Sequence, residues 1–351
     1  MTHIAKPRVR HPGLPTNELG LTRRDYEGSM STLCAGCGHD SITAAVIQAA
    51  WSMSLEPHRV AKLSGIGCSS KTPTYFIGEA HGFNAVHGRM PSIATGAQAV
   101  RPDLTYIGVS GDGDSLAIGI GQLCHAIRRN VDMLYLLENN GVYGLTKGQF
   151  SASADVGSKA KKGRVNRQPP IDPLLLALGL GATFVARGFS GDKAQLVPII
   201  EAGIRHEGFA FVDVVSPCVA FNDHEGSTKS YRYTREHLEA AVEADLVLPM
   251  AEITTSYDPG TAREVPLPDG SSVLFRKVPE DYDPEDRDQV DRYIRARQAE
   301  GEIPTGLLYV DPDAPDHSET MELDDRALAD VPWEELCPGS GRLEEVLAGF
   351  R

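Results

Sequence analysis

Between residues 31 and 218 the chain alternates between two hydrophobic periods. Residues 39–52 (HDSITAAVIQAAWS) repeat apolar positions at helical spacing, residues 59–63 read as a short strand, and residues 91–100 (PSIATGAQAV) are helical again. Residues 104–109 (LTYIGV) form a continuous apolar run suited to a strand buried on both faces. The pattern then predicts a helix over 115–129 and a second buried strand over 131–137 (VDMLYLL). Strand, helix and strand follow over 183–186, 194–205 and 209–215. Such alternation predicts an α/β fold with a mainly parallel sheet flanked by helices. No internal repeat is visible.

The flanks read differently. Residues 1–30 are polar and Pro-containing, an arm without its own core, and after about residue 225 the pattern weakens into acidic segments with one charged helix around 288–298. The expected organisation is therefore an arm (1–30), a ligand-binding domain (31–225) and an acidic C-terminal extension (226–351). A length of 351 residues, more than one compact core usually absorbs, fits a large domain with an extension. Charge sharpens the division. Residues 251–351 hold 25 Asp+Glu against 10 Lys+Arg, whereas the first 250 hold 23 against 24. The formal net charge of −14 thus belongs to the tail, and nucleic acid is not an expected partner. No run of 18 apolar residues is present, so no membrane span is expected, and the opening MTHIAKPRVRHPGLP lacks the apolar core of a secretory signal. A cytoplasmic location is the expectation.

The chemistry concentrates at strand ends. The run LTYIGVS leads directly into Gly111-Asp112-Gly113-Asp114, and VDMLYLLE leads into Asn139-Asn140-Gly141-Val142-Tyr143. In a parallel sheet both carboxyl ends lie on one edge, where open α/β folds bind ligands, so Asp112 and Asn140 can meet. Two hard oxygen side chains and a backbone carbonyl suit Mg²⁺, and Gly111 and Gly113 allow close backbone approach to a phosphate beside a helix amino end. A bare Gly-Asp-Gly is also a common turn, so a decorated turn in another nucleotide-binding fold is the bland alternative.

Six cysteines stand at 34, 37, 68, 124, 218 and 337. In a chain expected to be cytoplasmic, a Cys-x-x-Cys pair more often holds metal or does redox work than forms a disulfide. Cys34-Ala-Gly-Cys37-Gly38-His39 puts two thiols on a turn before a helix, whose amino end is expected to lower thiol pKa. Cys68 (GIGCSS) and Cys218 (SPC) each follow a predicted strand. Four such residues suit structural Zn²⁺ or an iron–sulfur cluster, and spacing alone leaves both open. Cys124 and Cys337 read as a buried small residue and an exposed thiol.

The Gly-Asp-Gly to Asn-Asn unit resembles the diphosphate motif of thiamine diphosphate enzymes. That likeness implies Mg²⁺ on Asp112, Asn140 and the Val142 carbonyl, with Gly113, Asp114, Gly144 and Leu145 lining the cofactor. Across residues 34–218 the ordered set CxGCGH, GIGCS, HGR, GDG…NN, VYGLTKGQ and SPC closely resembles the β subunit of 2-oxoacid:ferredoxin oxidoreductases. The resemblance implies that Cys34, Cys37, Cys68 and Cys218 carry a [4Fe-4S] cluster beside thiamine diphosphate, and that Ile66, Gly67, Cys68, Ser69 and His87 approach the thiamine. Ala35 stands where the family usually has Pro, which should alter the rigidity of the turn but not ligation.

The implied reaction is coenzyme A-dependent oxidative decarboxylation of a 2-oxoacid, with electrons passing to ferredoxin. The family's activating carboxylate lies on the α subunit, so an αβ unit paired as α₂β₂ is expected. The segment GLTK looks like the 2-oxoglutarate or broad-specificity branch more than the pyruvate branch. Lys147, with Lys71 after GIGCSS, supplies the nearest cations, and Lys147 is the candidate for reading the distal carboxylate. The rival readings are a pyruvate or broad-specificity enzyme, a non-oxidative thiamine enzyme with structural zinc, and a non-catalytic zinc-bound scaffold subunit. The basic segment at 159–167 (KAKKGRVNR) is a candidate ferredoxin platform, a lid or a solvated loop.

Overall fold

The computed structural model describes residues 12–242, 262–266, 272–276, 282–337 and 339–350. Its strands are β1 (Val60–Ser64), β2 (His81–Asn84), β3 (Thr105–Gly111), β4 (Met133–Asn139), β5 (Val142–Tyr143), β6 (Gln149–Phe150), β7 (Phe184–Phe189), β8 (Phe209–Val215), β9 (Leu238–Val242), β10 (Ala262–Pro266), β11 (Ser272–Arg276) and β12 (Ile303–Val310). Eight of them form one sheet in the order β2-β1-β3-β4-β8-β7-β12-β9. Every pairing from β2 to β7 is parallel, and β12 joins β7 antiparallel. β3, β4 and β8 occupy the middle, with every residue of β4 and β8 buried, which is why their sequences are almost continuously apolar.

Helices cover both faces. On one face lie α1 (Gly38–Ser52) and, later in the chain, α5 (Lys193–Arg205), packed on Val60, Ile107, Leu134, Leu136 and Val212. The other face carries α2 (Met90–Val100), α3 (Ile120–Arg128) and α4 (Pro173–Gly179), whose core includes Met90, Leu123, Leu174, Tyr135 and Phe211. The N-terminal arm docks on the first face. Tyr26 is fully buried there, and its hydroxyl donates to the Leu55 carbonyl at 2.7 Å.

Two features depart from the sequence reading. The helix expected over 115–129 begins instead as a π-turn, Asp114–Ile118, closed by the Gly119 N–H donating to the Asp114 carbonyl at 2.7 Å. Gly119 meets Gly88 backbone to backbone there, and a Cβ on Gly119 would lie 2.6 Å from the Gly88 Cα. The widened turn thus lets the 86–89 loop press against the start of the helix.

The second departure lies beyond residue 225. After α6 (Tyr231–His237), α7 (Arg287–Ala299) buries Val290 and Ile294 fully in the second core, and β12 is hydrogen-bonded into the sheet beside β7. The expected boundary therefore does not separate these segments from the domain, because their few apolar side chains fill sites on the sheet itself. Among the described α-helices, only α8 (His317–Thr320), α9 (Trp333–Leu336) and α10 (Ser340–Ala348) bury none of their own residues. Residues 243–261, within the expected extension, and 1–11 of the arm lie outside the described residues. No described helix is long and apolar enough to cross a membrane.

Candidate active site

Strands β3 and β4 run parallel and in adjacent register, Gly111 opposite Glu138, so the loops that follow them emerge side by side. Those loops and the turn after β1 enclose one cavity. Ile66, Gly67, Cys68 and Ser69 line it from the β1 turn, Asp112, Gly113 and Asp114 from the β3 loop, and Asn140, Val142, Gly144 and Leu145 from the β4 loop, with His87 alongside. Every residue assigned from sequence to Mg²⁺ or thiamine lies on this lining. Lys71 and Lys147 do not. Lys147 is exposed in the loop next to Thr146, and its φ of 78° is a left-handed value where glycine would be unstrained.

Asp112 is almost fully buried, and its hydrogen bonds are one-sided. Ser151 Oγ, Ser153 Oγ (2.6 Å) and the Gly141 N–H (3.0 Å) all donate to Oδ2. That arrangement leaves Oδ1 for a ligand in the cavity. Burial pushes the Asp112 carboxyl above its ordinary value, although the Ser151 and Ser153 hydroxyls, the Lys229 charge and the Asn140 backbone N–H all favour the charged form. Asn140 points its amide towards the same space, with Oδ1 accepting from the Val142 N–H at 3.0 Å, while Asn222 Nδ2 donates to the Asn140 backbone carbonyl at 2.7 Å. A carboxylate oxygen outside the serine and Gly141 bonds, an amide oxygen and a nearby carbonyl are the donor set a hard divalent cation takes, so the residues fit Mg²⁺.

Asp114 plays a different part. Its Oδ1 accepts from the Gly88 N–H at 3.0 Å and lies 2.6 Å from His87 Nδ1. Its Oδ2 accepts from Ser110 Oγ at 3.0 Å and the Ile66 N–H at 3.3 Å. Asp114 therefore spends its carboxylate on tying the 65–69 and 86–89 loops to β3, and offers the cavity a wall rather than a ligand.

The four cysteines come from three loops. Sulfur atoms of Cys68 and Cys218 lie 3.3 and 3.8 Å from where a Cβ on Gly144 would be, so Gly144 is the floor on which two of them converge. Cys34 and Cys37 interact electrostatically with Cys218, and Cys34 and Cys218 with Cys68, so the three cysteine loops lie on the same side of the domain. Among the described residues no three His, Cys, Asp or Glu are close enough together to ligate one metal ion.

Burial moves these thiols opposite to expectation. Cys37 is pushed up to about 12, with desolvation the main cause and Glu138, Cys218 and Asp40 adding to it, and Cys68 and Cys218 also rise through burial. The helix amino end at Cys37, expected to lower the thiol, is outweighed because the group is 8% exposed beside other acidic groups. A thiolate at Cys37 thus requires a bound cation.

Several residues at the site have partners that only the fold reveals, His39 and Tyr143 among them although both lie in motifs noted above. His39, 1% exposed, lies 2.7 Å by its Nδ1 from Ser216 Oγ and 3.4 Å by its Nε2 from Asn140 Nδ2, bridging the cysteine loops and the cavity. Its neighbour Glu138, with Oε2 at 3.2 Å from Nδ1, is wholly buried, and desolvation drives both groups towards their neutral forms, His39 down to about 4. Tyr143 donates its hydroxyl to the Gly113 carbonyl at 3.2 Å. Ser151 and Ser153 reach Asp112 only because β5 and β6 fold back as a hairpin.

Sheet order, cavity and donor set together define a thiamine diphosphate-binding α/β domain. The family description "Thiamine pyrophosphate enzyme, C-terminal TPP binding domain" matches residues 65–214. A 2-oxoacid:ferredoxin oxidoreductase subunit beta from a Sulfolobus species is 34% identical over 316 residues, covering 90% of this chain and 93% of the relative. The chain belongs to the family of 2-oxoacid:ferredoxin oxidoreductase β subunits. It is also similar to the 2-oxoglutarate oxidoreductase subunit KorB of Mycobacterium tuberculosis, 39% identical over 61% of this chain and 58% of that one. Among solved structures, a 2-oxoglutarate:ferredoxin oxidoreductase from Magnetococcus marinus, with 2-oxoglutarate, coenzyme A and succinyl-CoA bound, superposes with a TM-score of 0.70 at 32% identity. That match covers 86% of this chain and 89% of the other.

Proposed function

We propose that this chain, joined to its α subunit as α₂β₂, converts 2-oxoglutarate and coenzyme A to succinyl-CoA and CO₂ and delivers two electrons singly to ferredoxin. The observation that carries this reading is the position of Cys68, which lines the Asp112–Asn140 cavity and converges with Cys218 over Gly144. Bound thiamine diphosphate would supply the carbanion equivalent and electron sink, Mg²⁺ the clamp on its diphosphate, and a [4Fe-4S] cluster the one-electron acceptor. In this chain Asp112, Asn140 and the Val142 carbonyl would hold Mg²⁺, and Cys34, Cys37, Cys68 and Cys218 the cluster. His87 and the 66–69 turn, fixed through Asp114, shape the wall beside the thiamine.

The test is anaerobic co-purification with the α subunit, followed by iron and sulfide analysis and viologen reduction with coenzyme A. Reduction with 2-oxoglutarate and four irons per chain is expected. A colourless, zinc-containing protein that decarboxylates without reducing the viologen would overturn the proposal in favour of a non-oxidative thiamine enzyme.

Lys147 is proposed to read the distal carboxylate of 2-oxoglutarate. The left-handed backbone of a non-glycine residue at the cavity rim costs stability that a side-chain role would justify. Lys147→Ala should raise KM for 2-oxoglutarate about tenfold or more, the scale of one lost charge-assisted contact, and leave pyruvate and 2-oxobutyrate little changed. An equal loss on all three substrates would remove the assignment.

The basic segment 159–167 lies against the Cys218 loop: Lys161 Nζ is 3.4 Å from the Ala220 carbonyl, and the Lys159 N–H donates to the Gly226 carbonyl at 3.1 Å. Lys161, Lys162, Arg164 and Arg167 are exposed there, as are Cys34, Ala35 and Gly36. This surface is proposed to receive an acidic ferredoxin. Reversing Lys161, Lys162 and Arg164 to Glu should slow ferredoxin reduction about tenfold at low salt and flatten its salt dependence, with viologen reduction intact. Unaltered ferredoxin kinetics would remove the docking surface.

A further inference from the structure

The one-sided hydrogen bonding of Asp112 continues into the protein. Ser153 Oγ, which donates to Asp112 Oδ2, is also 2.9 Å from Asn139 Oδ1. Asn139 Nδ2 donates to Asp213 Oδ1 at 2.9 Å, and Arg187 Nε donates to Asp213 Oδ2 at 2.7 Å. On the far side Arg187 approaches Asp172 at 3.9 Å, and Gln298 Nε2 on α7 donates to Asp172 Oδ2 at 2.6 Å. Asn139, Asp213 and Arg187 sit on the central strands β4, β8 and β7, and Asp213 has no exposed surface.

The polarity of this chain is fixed from its charged end. Asp213 can only accept from Asn139, so the amide must turn its oxygen towards Ser153. The hydroxyl protons of Ser151 and Ser153 are then shared between two acceptors, Asn139 Oδ1 and Asp112 Oδ2. A shift of either serine would leave Oδ2 to the other hydroxyl and the Gly141 N–H, and so loosen the carboxylate's ligand-facing pose. Buried polar groups of this kind are costly unless every member is satisfied, and none of Ser153, Asn139, Asp213 or Arg187 touches the cavity.

We infer that Ser153, Asn139, Asp213 and Arg187 are positioning residues for the diphosphate–metal site: a buried relay across three strands that holds Asp112 with Oδ1 presented to Mg²⁺. The inference rests on the Mg²⁺ assignment above. The experiment titrates Mg²⁺ into the α-paired protein at fixed thiamine diphosphate, and separately reads the rise in Tm that Mg²⁺ produces. Ser153→Ala should weaken Mg²⁺ about tenfold or more, the range for losing a residue that orients a metal ligand, and Ser153→Thr should restore it. The double variant Arg187→Met with Asp213→Asn, which removes the buried pair without stranding one charge, should weaken Mg²⁺ about threefold or more.

A purely structural role would lower Tm equally with and without Mg²⁺ and leave the Mg²⁺-dependent increment as in the wild type. Wild-type Mg²⁺ affinity in folded Ser153→Ala, or in the double variant, would overturn the relay. If Ser153→Ala does not fold, the isosteric Ser153→Cys stands in for it. Absence of Mg²⁺ binding by the wild type would instead overturn the metal assignment itself.

Discussion

Cys218→Ser should leave a protein that binds thiamine diphosphate but has lost its brown visible absorption and its reduction of ferredoxin and viologen. Cys218 lies outside the cavity lining, so the substitution leaves Asp112, Asn140 and the 66–69 turn in place. It removes one of the two sulfurs that converge above Gly144. Burial pushes the Cys37 and Cys68 thiols up, so both depend on a bound cation to ionise, and a set lacking one sulfur holds such a cation less well. The expected loss is about three orders of magnitude or more in electron transfer, as when an indispensable member of a catalytic set is deleted. Thiamine diphosphate binding within a few-fold of wild type is the control. Retained colour and viologen reduction in Cys218→Ser would exclude Cys218 as a ligand.

Asp112→Asn should move two measurements in opposite directions. The carboxyl's ordinary value is raised by burial, so at neutral pH the charged form is less favourable in the folded protein than in water. Stability linked to this group is present below its ordinary value and is lost as pH rises through the folded one. An amide keeps an oxygen for Ser151, Ser153 and the Gly141 N–H but carries no charge. The Mg²⁺-free protein should therefore gain about 2 °C in Tm at pH 7.5, and no gain should appear at a pH low enough to protonate Asp112. Mg²⁺ affinity should fall about a hundredfold, because the anionic ligand is gone. Unchanged Mg²⁺ binding by Asp112→Asn would exclude Asp112 as its ligand.

Much of this site is readable from residue order because strand ends and loop residues are local. The apolar runs before Gly111 and Asn139 specify buried parallel strands, and their carboxyl ends must share an edge, so the meeting of Asp112 and Asn140 follows from topology. Three kinds of information escape such a reading. Ser151 and Ser153 are ordinary loop residues until the β5–β6 hairpin turns them onto Asp112, and nothing in QFSAS announces it. Asp213 and Arg187 look like isolated charges in apolar strands, and their compensation comes from non-adjacent segments. Cys37 runs against its sequence context because a helix end is visible in sequence while burial, which raises the thiol, is not.

The edge strand β2 was missed for a related reason. His81–Asn84 is exposed throughout, so it lacks the alternation that marks a half-buried strand, and only its register with β1 defines it. Likewise β12 was hidden inside an acidic stretch, although Leu308 and Tyr309 are buried and Leu307 packs against the opposite face. Net charge describes a segment's average and says little about the few positions that dock.

The late arrival of β12 bears on synthesis. A nascent chain that has emerged just past β8, through residue 218, already holds Asp112, Asn140, Cys34, Cys37, Cys68 and Cys218, yet the outer edge of β7 is still bare. An open edge beside an apolar core is a template for pairing with another unfinished copy. Until residues 303–310 leave the ribosome and cap that strand, a premature stop or a stalled message leaves a species whose cavity loops are complete but whose sheet remains open to aggregation.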